Sequence, residues 1–242
     1  MSPQLFTIYQ KLHSAYGVQG WWPITPDGET VPRYDIPISH SLHRFEIAVG
    51  AILTQNTAWA NVEKALVALH ENKLLTPQKI VSTPHEKLAQ IIRSAGYFNQ
   101  KAERLKVVAY FFLSNDITKL PLTILRTKLL ALKGIGPETA DSIILYAAKK
   151  PVFVIDAYTR RIFSRLGFLQ ESDSYDNWQE LFHREFFPPG RRTKSKGREV
   201  NSELLPLFKE YHALLVEHAK QHCKKKPICH QCPLEKACKK RL

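Results

Sequence analysis

The chain has no cysteine before residue 223, and no apolar run in it approaches the 18 residues that a membrane-spanning helix needs. Its first residues, 1–17, lack the basic start and the apolar core of a signal peptide. These absences argue against an integral membrane protein and against a disulfide-stapled secreted domain. We therefore expect an intracellular protein.

Acidic residues are also scarce, since 22 Asp and Glu stand against 35 Lys and Arg, a formal net charge of +13 over 242 residues. Such an excess favours a polyanionic partner, because neutralising phosphates releases the counterions condensed on them. A merely basic surface would give the same count. The hydrophobic fraction of 44% is enough for a folded core.

Alternating strand patterns are almost absent, whereas apolar residues recur at helical spacing along most of the chain. Residues 45–53, FEIAVGAIL, are apolar on all sides and predict a helix buried at the centre of the fold. The sequence therefore predicts an all-α protein built from many short helices. The polar, basic stretch 188–199 predicts a flexible loop.

Residues 133–140, KGIGPETA, place Gly134 and Gly136 between two predicted helices, at 124–133 and 137–150. The glycines permit a positive φ and the close approach of another backbone. A helix–Gly-x-Gly–helix unit can present N–H groups to a DNA phosphate at a helix N-terminus. A plain tight turn between two helices is the alternative.

Asp156 follows a short apolar run and precedes a strongly basic helix that contains Arg160, Arg161 and Arg165. Its simplest role is that of a helix N-cap. It also lies about twenty residues past the glycine turn and directly before the basic helix, which favours a functional role.

The four cysteines of the chain follow the spacing C-x5-C-x2-C-x5-C near its end: Cys223, Cys229, Cys232 and Cys238. Zinc modules usually carry two Cys-x2-Cys pairs set well apart, and only one such pair is present. Four thiolates in a compact loop suit a [4Fe–4S] cluster, and zinc is the less favoured alternative.

These motifs together resemble the endonuclease III superfamily of helix-hairpin-helix DNA glycosylases. The resemblance rests on four stretches and covers most of the chain from about residue 40: FEIAVGAILTQNT (45–57), AGYFNQKAERL (95–105), LKGIGPETAD (132–141) and VIDAYTRRI (154–162). It implies that the hairpin glycines bind backbone phosphate, that Asp156 is essential for base excision, and that Gln55 fills the gap left by a flipped base. Thr139 joins the glycines as a candidate DNA-binding residue.

The cysteine loop is similar to the iron–sulfur loop of endonuclease III, with one residue fewer in its first gap. Lys224, Lys225 and Lys226 lie in that gap. The resemblance implies that the cluster shapes a phosphate-binding loop, and electron transfer or redox sensing is the weaker alternative.

Glu138 stands where bifunctional members of the superfamily carry a lysine that attacks the sugar as a Schiff-base nucleophile. A carboxylate cannot form that imine. The substitution favours a monofunctional glycosylase, in which water takes the sugar and no AP-lyase reaction follows.

The base pocket is predicted from Trp21, Trp22, Phe45 and Glu138, which together resemble the 3-methyladenine DNA glycosylase III branch. Such aromatic residues usually pack in a core, and a core role is the better prediction for at least one of the two tryptophans. That branch stacks aromatic side chains on an alkylated, cationic base, which a π-face attracts over the neutral base. The chain departs from the branch in one respect. It carries apolar HALLVEH (212–218) where the branch has a modified lysine.

The sequence thus predicts a two-lobed, nucleoid-associated monomer that removes damaged bases from double-stranded DNA held in a central cleft. One lobe would span 41–150, and the other would combine 1–40 with 151–242. Rival specificities are uracil, mismatched thymine and deaminated purine. Rival classes are a non-catalytic protein that binds lesions or branched DNA, and a redox-sensing regulator.

Overall fold

The computed structural model describes residues 3–187 and 198–239, and confirms the all-α prediction. The described residues form eleven α-helices and no strand beyond one isolated bridge between Ile24 and Arg33. The helices are α1 Pro3–Tyr16, α2 Ser41–Leu53, α3 Trp59–Glu71, α4 Pro77–Ser82, α5 His85–Ile91, α6 Phe98–Ser114, α7 Leu122–Leu130, α8 Pro137–Ser142, α9 Ala157–Leu166, α10 Tyr175–Phe186 and α11 Arg198–Gln221.

None of the helices in these described ranges is both long enough and apolar enough to cross a membrane. The predicted basic loop, 188–199, lies outside the described residues except for its last two positions, which begin α11.

The chain divides into two compact units. The hairpin unit is Trp22–Lys150, and the cysteine unit combines Met1–Trp21 with Pro151–Leu242. The sequence-based division placed 22–40 with the second lobe, whereas the structure places this segment with the hairpin unit. The reason is local packing, because the backbone N–H and the hydroxyl of Thr25 both donate to the buried Glu46 carboxylate of α2, at 3.0 and 2.6 Å.

The hairpin unit is built around α2, which is buried from Phe45 to Leu53 as predicted. Helix α2 packs against α3, against α6 and against the segment that follows α8. Helices α4 and α5 cover another side of α6. The helix that follows the glycine turn changes its winding partway along. Helix α8 gives way to a π-helical turn at Ile143–Ala147, where the predicted helix over 137–150 was uninterrupted.

The cysteine unit is held together by an aromatic core. Phe153 stacks on Phe182 with 3.9 Å between the ring centroids, and Phe163 and Phe208 meet these rings edge-on. Tyr211 of α11 joins the cluster, and its hydroxyl donates to the Leu5 carbonyl at 2.8 Å. Helices α1 and α9 both pack against α11. This core fixes the first turn of α9, where Asp156 lies.

Candidate active site

Asp156 is the N-cap of α9, as its position in the sequence predicted. Its backbone is extended, and one carboxylate oxygen accepts from the Thr159 backbone N–H at 2.6 Å. The residue is only 8% exposed. The start of the helix thereby fixes a buried carboxylate in one orientation, and it does so more firmly than it would fix an exposed one.

His212 of α11 lies beside Asp156, with its Nε2 atom 3.7 Å from the second carboxylate oxygen. Burial alone would raise the pKa of the Asp156 carboxyl, but His212 and the Thr159 N–H outweigh it, and the pKa lies below its ordinary value. Asp156 is therefore an anion at neutral pH. Helix α11, which contains the segment 212–218, thus places an imidazole beside Asp156.

The two tryptophans of GWWP occupy different environments. Trp21, in the cysteine unit, is partly exposed and meets the His212 ring edge-on at 5.7 Å, with the Lys220 ammonium over its face at 5.9 Å. Trp22 is buried in the hairpin unit, where it contacts Gly50 and packs against the rings of Trp59 and Tyr146. Trp21 thus adjoins the Asp156–His212 pair, and Trp22 is a core residue.

Phe45 is also a core residue. Its side chain is 1% exposed and packs edge-on against Phe112 of α6. The rings of Phe45 and Trp22 thus pack within the core of the hairpin unit, and their assignment to the base pocket stays a prediction. Both assignments rested on residue type, and aromatic type alone does not separate a pocket from a core.

The glycine turn has one position that requires glycine and one that does not. Gly134 has a φ of +81°, and a Cβ added there would lie within 2.4–2.8 Å of the Arg104 side chain. Gly136 has a φ of −89°, is exposed and has no neighbour within 4 Å of such a Cβ. It is the N-cap of α8, with Pro137 at the first helical position as predicted.

Gln55 is tied to the hairpin. Its amide nitrogen donates to Thr139 Oγ1 at 2.9 Å and to the Gly134 carbonyl at 3.2 Å, while Arg104 donates to its amide oxygen. Thr139 is 7% exposed, so its hydroxyl serves this internal contact. Gln55 could fill a gap in DNA only after releasing these bonds. Sequence reasoning missed Arg104, although it lies within the matched stretch 95–105.

Lys101 of α6 links the turn that carries Gln55 to the turn before α6. Its buried ammonium donates to the Leu53 and Ala95 carbonyls, both at 2.8 Å, and to Thr57 Oγ1 at 2.6 Å. Burial, with a smaller contribution from Arg104, lowers the pKa of Lys101 to about 8. The turn presents Tyr97, which is 62% exposed at a φ of 46°. Its exposure, which the sequence does not reveal, makes it a further candidate for contact with DNA.

Glu138 is exposed in the first turn of α8, where an acid favourably opposes the helix dipole. The two nearby lysines are differently engaged. Lys133 forms an ion pair with Glu103 at 2.7 Å, and Lys149 is exposed at a φ of 55°. Neither lysine therefore takes the place of Glu138 in the first turn of α8.

The four cysteines line one small apolar cavity between α9, the end of α11 and the loop after it. Two arginines of α9 fix this loop. Arg161 donates to the Cys223 carbonyl at 2.8 Å, and Arg165 donates to the Lys224 and Lys225 carbonyls at 2.7 and 3.0 Å. The side chains of Lys224, Lys225 and Lys226 are exposed. Helix α9 therefore carries Asp156 at its start and supports the lysine loop further along.

Three sulfur atoms have polar neighbours, and Cys238 Sγ lies 3.5 Å from the Arg165 carbonyl oxygen. Arg165 donates to Cys223 Sγ at 3.3 Å, and His218 Nε2 lies 3.8 Å from Cys232 Sγ. Burial lowers the pKa of His218 to about 4, so its ring is neutral. Because the Tyr16 hydroxyl lies 2.8 Å from His218 Nδ1 and can donate to it, the ring proton is free to reside on Nε2, facing the sulfur.

Donors near the sulfurs bear on the group that the four thiolates could hold. Hydrogen bonds to the sulfurs are among the features that set the reduction potential of an iron–sulfur cluster. Four thiolates also match a structural zinc site.

Comparison with known proteins adds to this geometry. Residues 49–188 match the HhH-GPD superfamily of base excision DNA repair proteins. The chain is 41% identical to a candidate DNA repair glycosylase of Methanocaldococcus jannaschii, over 97% of this chain and 95% of that one. It is 33% identical to endonuclease III of Sulfolobus acidocaldarius over 81% of each. Among solved structures, 3-methyladenine DNA glycosylase (MagIII) of H. pylori, bound to 1,N6-ethenoadenine, aligns with a TM-score of 0.68 at 29% identity, covering 89% of this chain and 97% of that one.

Proposed function

The chain belongs to the HhH-GPD superfamily and is a base excision DNA repair glycosylase, and we propose that it is monofunctional and removes alkylated, 3-methyladenine-type bases. The observation that carries the proposal is the buried Asp156 carboxylate, which accepts from the Thr159 N–H and lies beside His212, with the Trp21 ring next to His212.

Asp156 supplies the charge that bond cleavage requires. Breaking an N-glycosidic bond leaves positive charge on the sugar, and a fixed, desolvated carboxylate stabilises that oxocarbenium-like state. The lowered pKa of Asp156 keeps the carboxylate ionised. The same oxygen atoms can orient the attacking water, and the Thr159 N–H fixes one of them.

Water rather than an amine takes the sugar in this proposal. Glu138 cannot form an imine, and Lys133 is engaged with Glu103. The product is then an abasic site on an unbroken strand, which another enzyme must process.

The preference for an alkylated base rests on Trp21 and on the likeness to MagIII. Alkylation at N3 makes adenine cationic, so an aromatic face binds it better than neutral adenine. Such a base is already a good leaving group, and the site needs no strong general acid. The 29% identity to MagIII over 89% of the chain supports this substrate class over uracil, thymine or hypoxanthine.

DNA would be held by its phosphates at two places. The hairpin offers backbone N–H groups at the start of α8, around Gly134 and Gly136. The loop of Lys224, Lys225 and Lys226 offers three exposed ammonium groups on a backbone fixed by Arg165. Cys223, Cys229, Cys232 and Cys238 fit a [4Fe–4S] cluster, which when bound would hold this loop rigid without taking part in base removal.

The test uses duplexes that each carry one lesion: 3-methyladenine, 1,N6-ethenoadenine, uracil, hypoxanthine or an oxidised pyrimidine. The proposal predicts strand breakage on the alkylated purines alone, and only after hot alkali. It also predicts no covalent complex with borohydride, which traps imines. Breakage without alkali or a trapped complex would refute the monofunctional assignment, and release of uracil or thymine alone would refute the substrate class.

A further inference from the structure

Three potential metal ligands meet on the hairpin unit, apart from the active site. The ligand atoms of Asp27, His40 and His43 all lie within 4.8 Å of one another. The Asp27 oxygen is 2.8 Å from His40 Nε2 and 3.7 Å from His43 Nε2, and the two imidazole rings overlap at a centroid distance of 3.9 Å. Two of the ligands start α2, and the third lies in the loop before it.

His43 points to a missing ligand in this group. It is 4% exposed, and its Nε2 atom has no hydrogen-bond partner among the described residues. A buried polar nitrogen in that condition costs free energy unless something satisfies it. Nε2 faces the Asp27 carboxylate, and a cation between the two would satisfy both.

The other side of the His43 ring faces Ser39. Nδ1 accepts from the Ser39 backbone N–H at 3.3 Å and lies 3.2 Å from the Ser39 hydroxyl. A metal on Nε2 requires the ring proton to move to Nδ1, where the Ser39 hydroxyl oxygen can accept it in place of the backbone N–H contact. Metal-bound histidines commonly donate their second N–H to such a partner.

We propose that Asp27, His40 and His43 bind one divalent transition-metal ion, with zinc as the natural occupant, and that the ion fastens the loop before α2 to the start of that helix. Two imidazoles and one carboxylate are a common zinc ligand set, with water completing the tetrahedron. Water has access, because a cavity of about 340 Å³ adjoins the three residues and is lined further by Glu46 and His70.

The buried Glu46 carboxylate offsets part of the charge that an ion would bring to a helix N-terminus. It lines the same cavity as the three ligands and is buried. The site therefore has two carboxylates for one dication, and it does not share any ligand with the cysteine loop.

Cobalt(II) distinguishes this site from the cysteines, since thiolate ligands give an intense charge-transfer band and imidazole and carboxylate ligands give only weak visible bands. Protein that retains its native C-terminal site is titrated with Co²⁺ and Zn²⁺, followed by absorption and calorimetry. We expect one equivalent of Co²⁺ with weak visible bands, displaced by one equivalent of Zn²⁺, and a rise in Tm on zinc addition.

Asp27→Asn is the decisive variant, because Asp27 is 73% exposed and its loss should leave the fold intact. We expect Asp27→Asn and His43→Gln to lose the equivalent and the rise in Tm, and Ser39→Ala to weaken binding about 10- to 100-fold. His85→Gln, a histidine of the same unit outside the cluster, should bind as the wild type does. The proposal is wrong if the wild type binds no ion, if Asp27→Asn keeps the full stoichiometry, or if the cobalt spectrum carries the thiolate band.

Discussion

Replacing Gly134 with alanine should destabilise the protein, and the structure gives the size of the effect. An L-residue at a φ of +81° costs about 1–2 kcal/mol. The new Cβ would also lie within 2.4–2.8 Å of Arg104, which must move and release the Gln55 amide oxygen. Loss of that charge-assisted bond adds about 1–2 kcal/mol. The total of about 2–4 kcal/mol corresponds to a fall in Tm of roughly 4–16 °C for a chain of this size.

Gly136→Ala is the matched control, since it changes the other glycine of the same turn. Its φ of −89° suits alanine and nothing crowds the position, so only the weaker N-cap is lost, about 1 kcal/mol or less. The assay is thermal unfolding followed by circular dichroism. Adding Arg104→Ala to Gly134→Ala should recover part of the loss by removing the clash. Equal Tm values for the two alanine variants, or a double variant that shows the full sum of both losses, would refute this account of the turn.

Three further predictions concern the polar contacts of Lys101, Arg165 and Asp156. Lys101→Met should lower the free energy of unfolding by about 1–3 kcal/mol in urea titrations, because two carbonyls lose their donor; an unchanged midpoint would contradict this. Arg165→Ala should speed the loss of visible absorbance from cluster-loaded protein under chelator, while Arg160→Ala, on the same helix, should not; equal rates would count against the role of Arg165 in the loop. The rate of base release should show no inflection from Asp156 between pH 8 and about pH 5. The reason is that the pKa of Asp156 lies below its ordinary value of 3.8, so the carboxylate is protonated only as the pH falls through that lowered pKa. An inflection near pH 6 assigned to Asp156 would contradict the lowered pKa.

Local features of the sequence predicted local features of the structure well. The apolar period predicted α2 as the buried central helix, and proline after glycine predicted the start of α8. Asp156 was recognisable as an N-cap because capping involves only the next three residues. The turn motif indicated that position 134 requires glycine for structural reasons. The side chain that would crowd a Cβ there belongs to Arg104, thirty residues earlier in the chain.

Features that depend on distant packing could not be predicted from the sequence. Trp21 and Trp22 are neighbours in the chain, yet one adjoins His212 and the other fills the core of the hairpin unit. Nothing in the GWWP motif itself shows which tryptophan is buried in the core. The contact of His212 with Asp156 spans α9 and α11, and the π-helical turn after α8 depends on tertiary burial at 143–148.

The central claim is that a fixed Asp156 carboxylate drives hydrolysis of the base from DNA. The most direct measurement is single-turnover release of 3-methyladenine by wild type and Asp156→Asn, with the affinity of each for the same duplex measured in parallel. Asparagine can still cap α9 but carries no charge. We predict release slowed by at least about a hundredfold, the size of a lost electrostatic contact in an active site, with affinity changed less than about threefold. Release at the wild-type rate by Asp156→Asn would contradict the account.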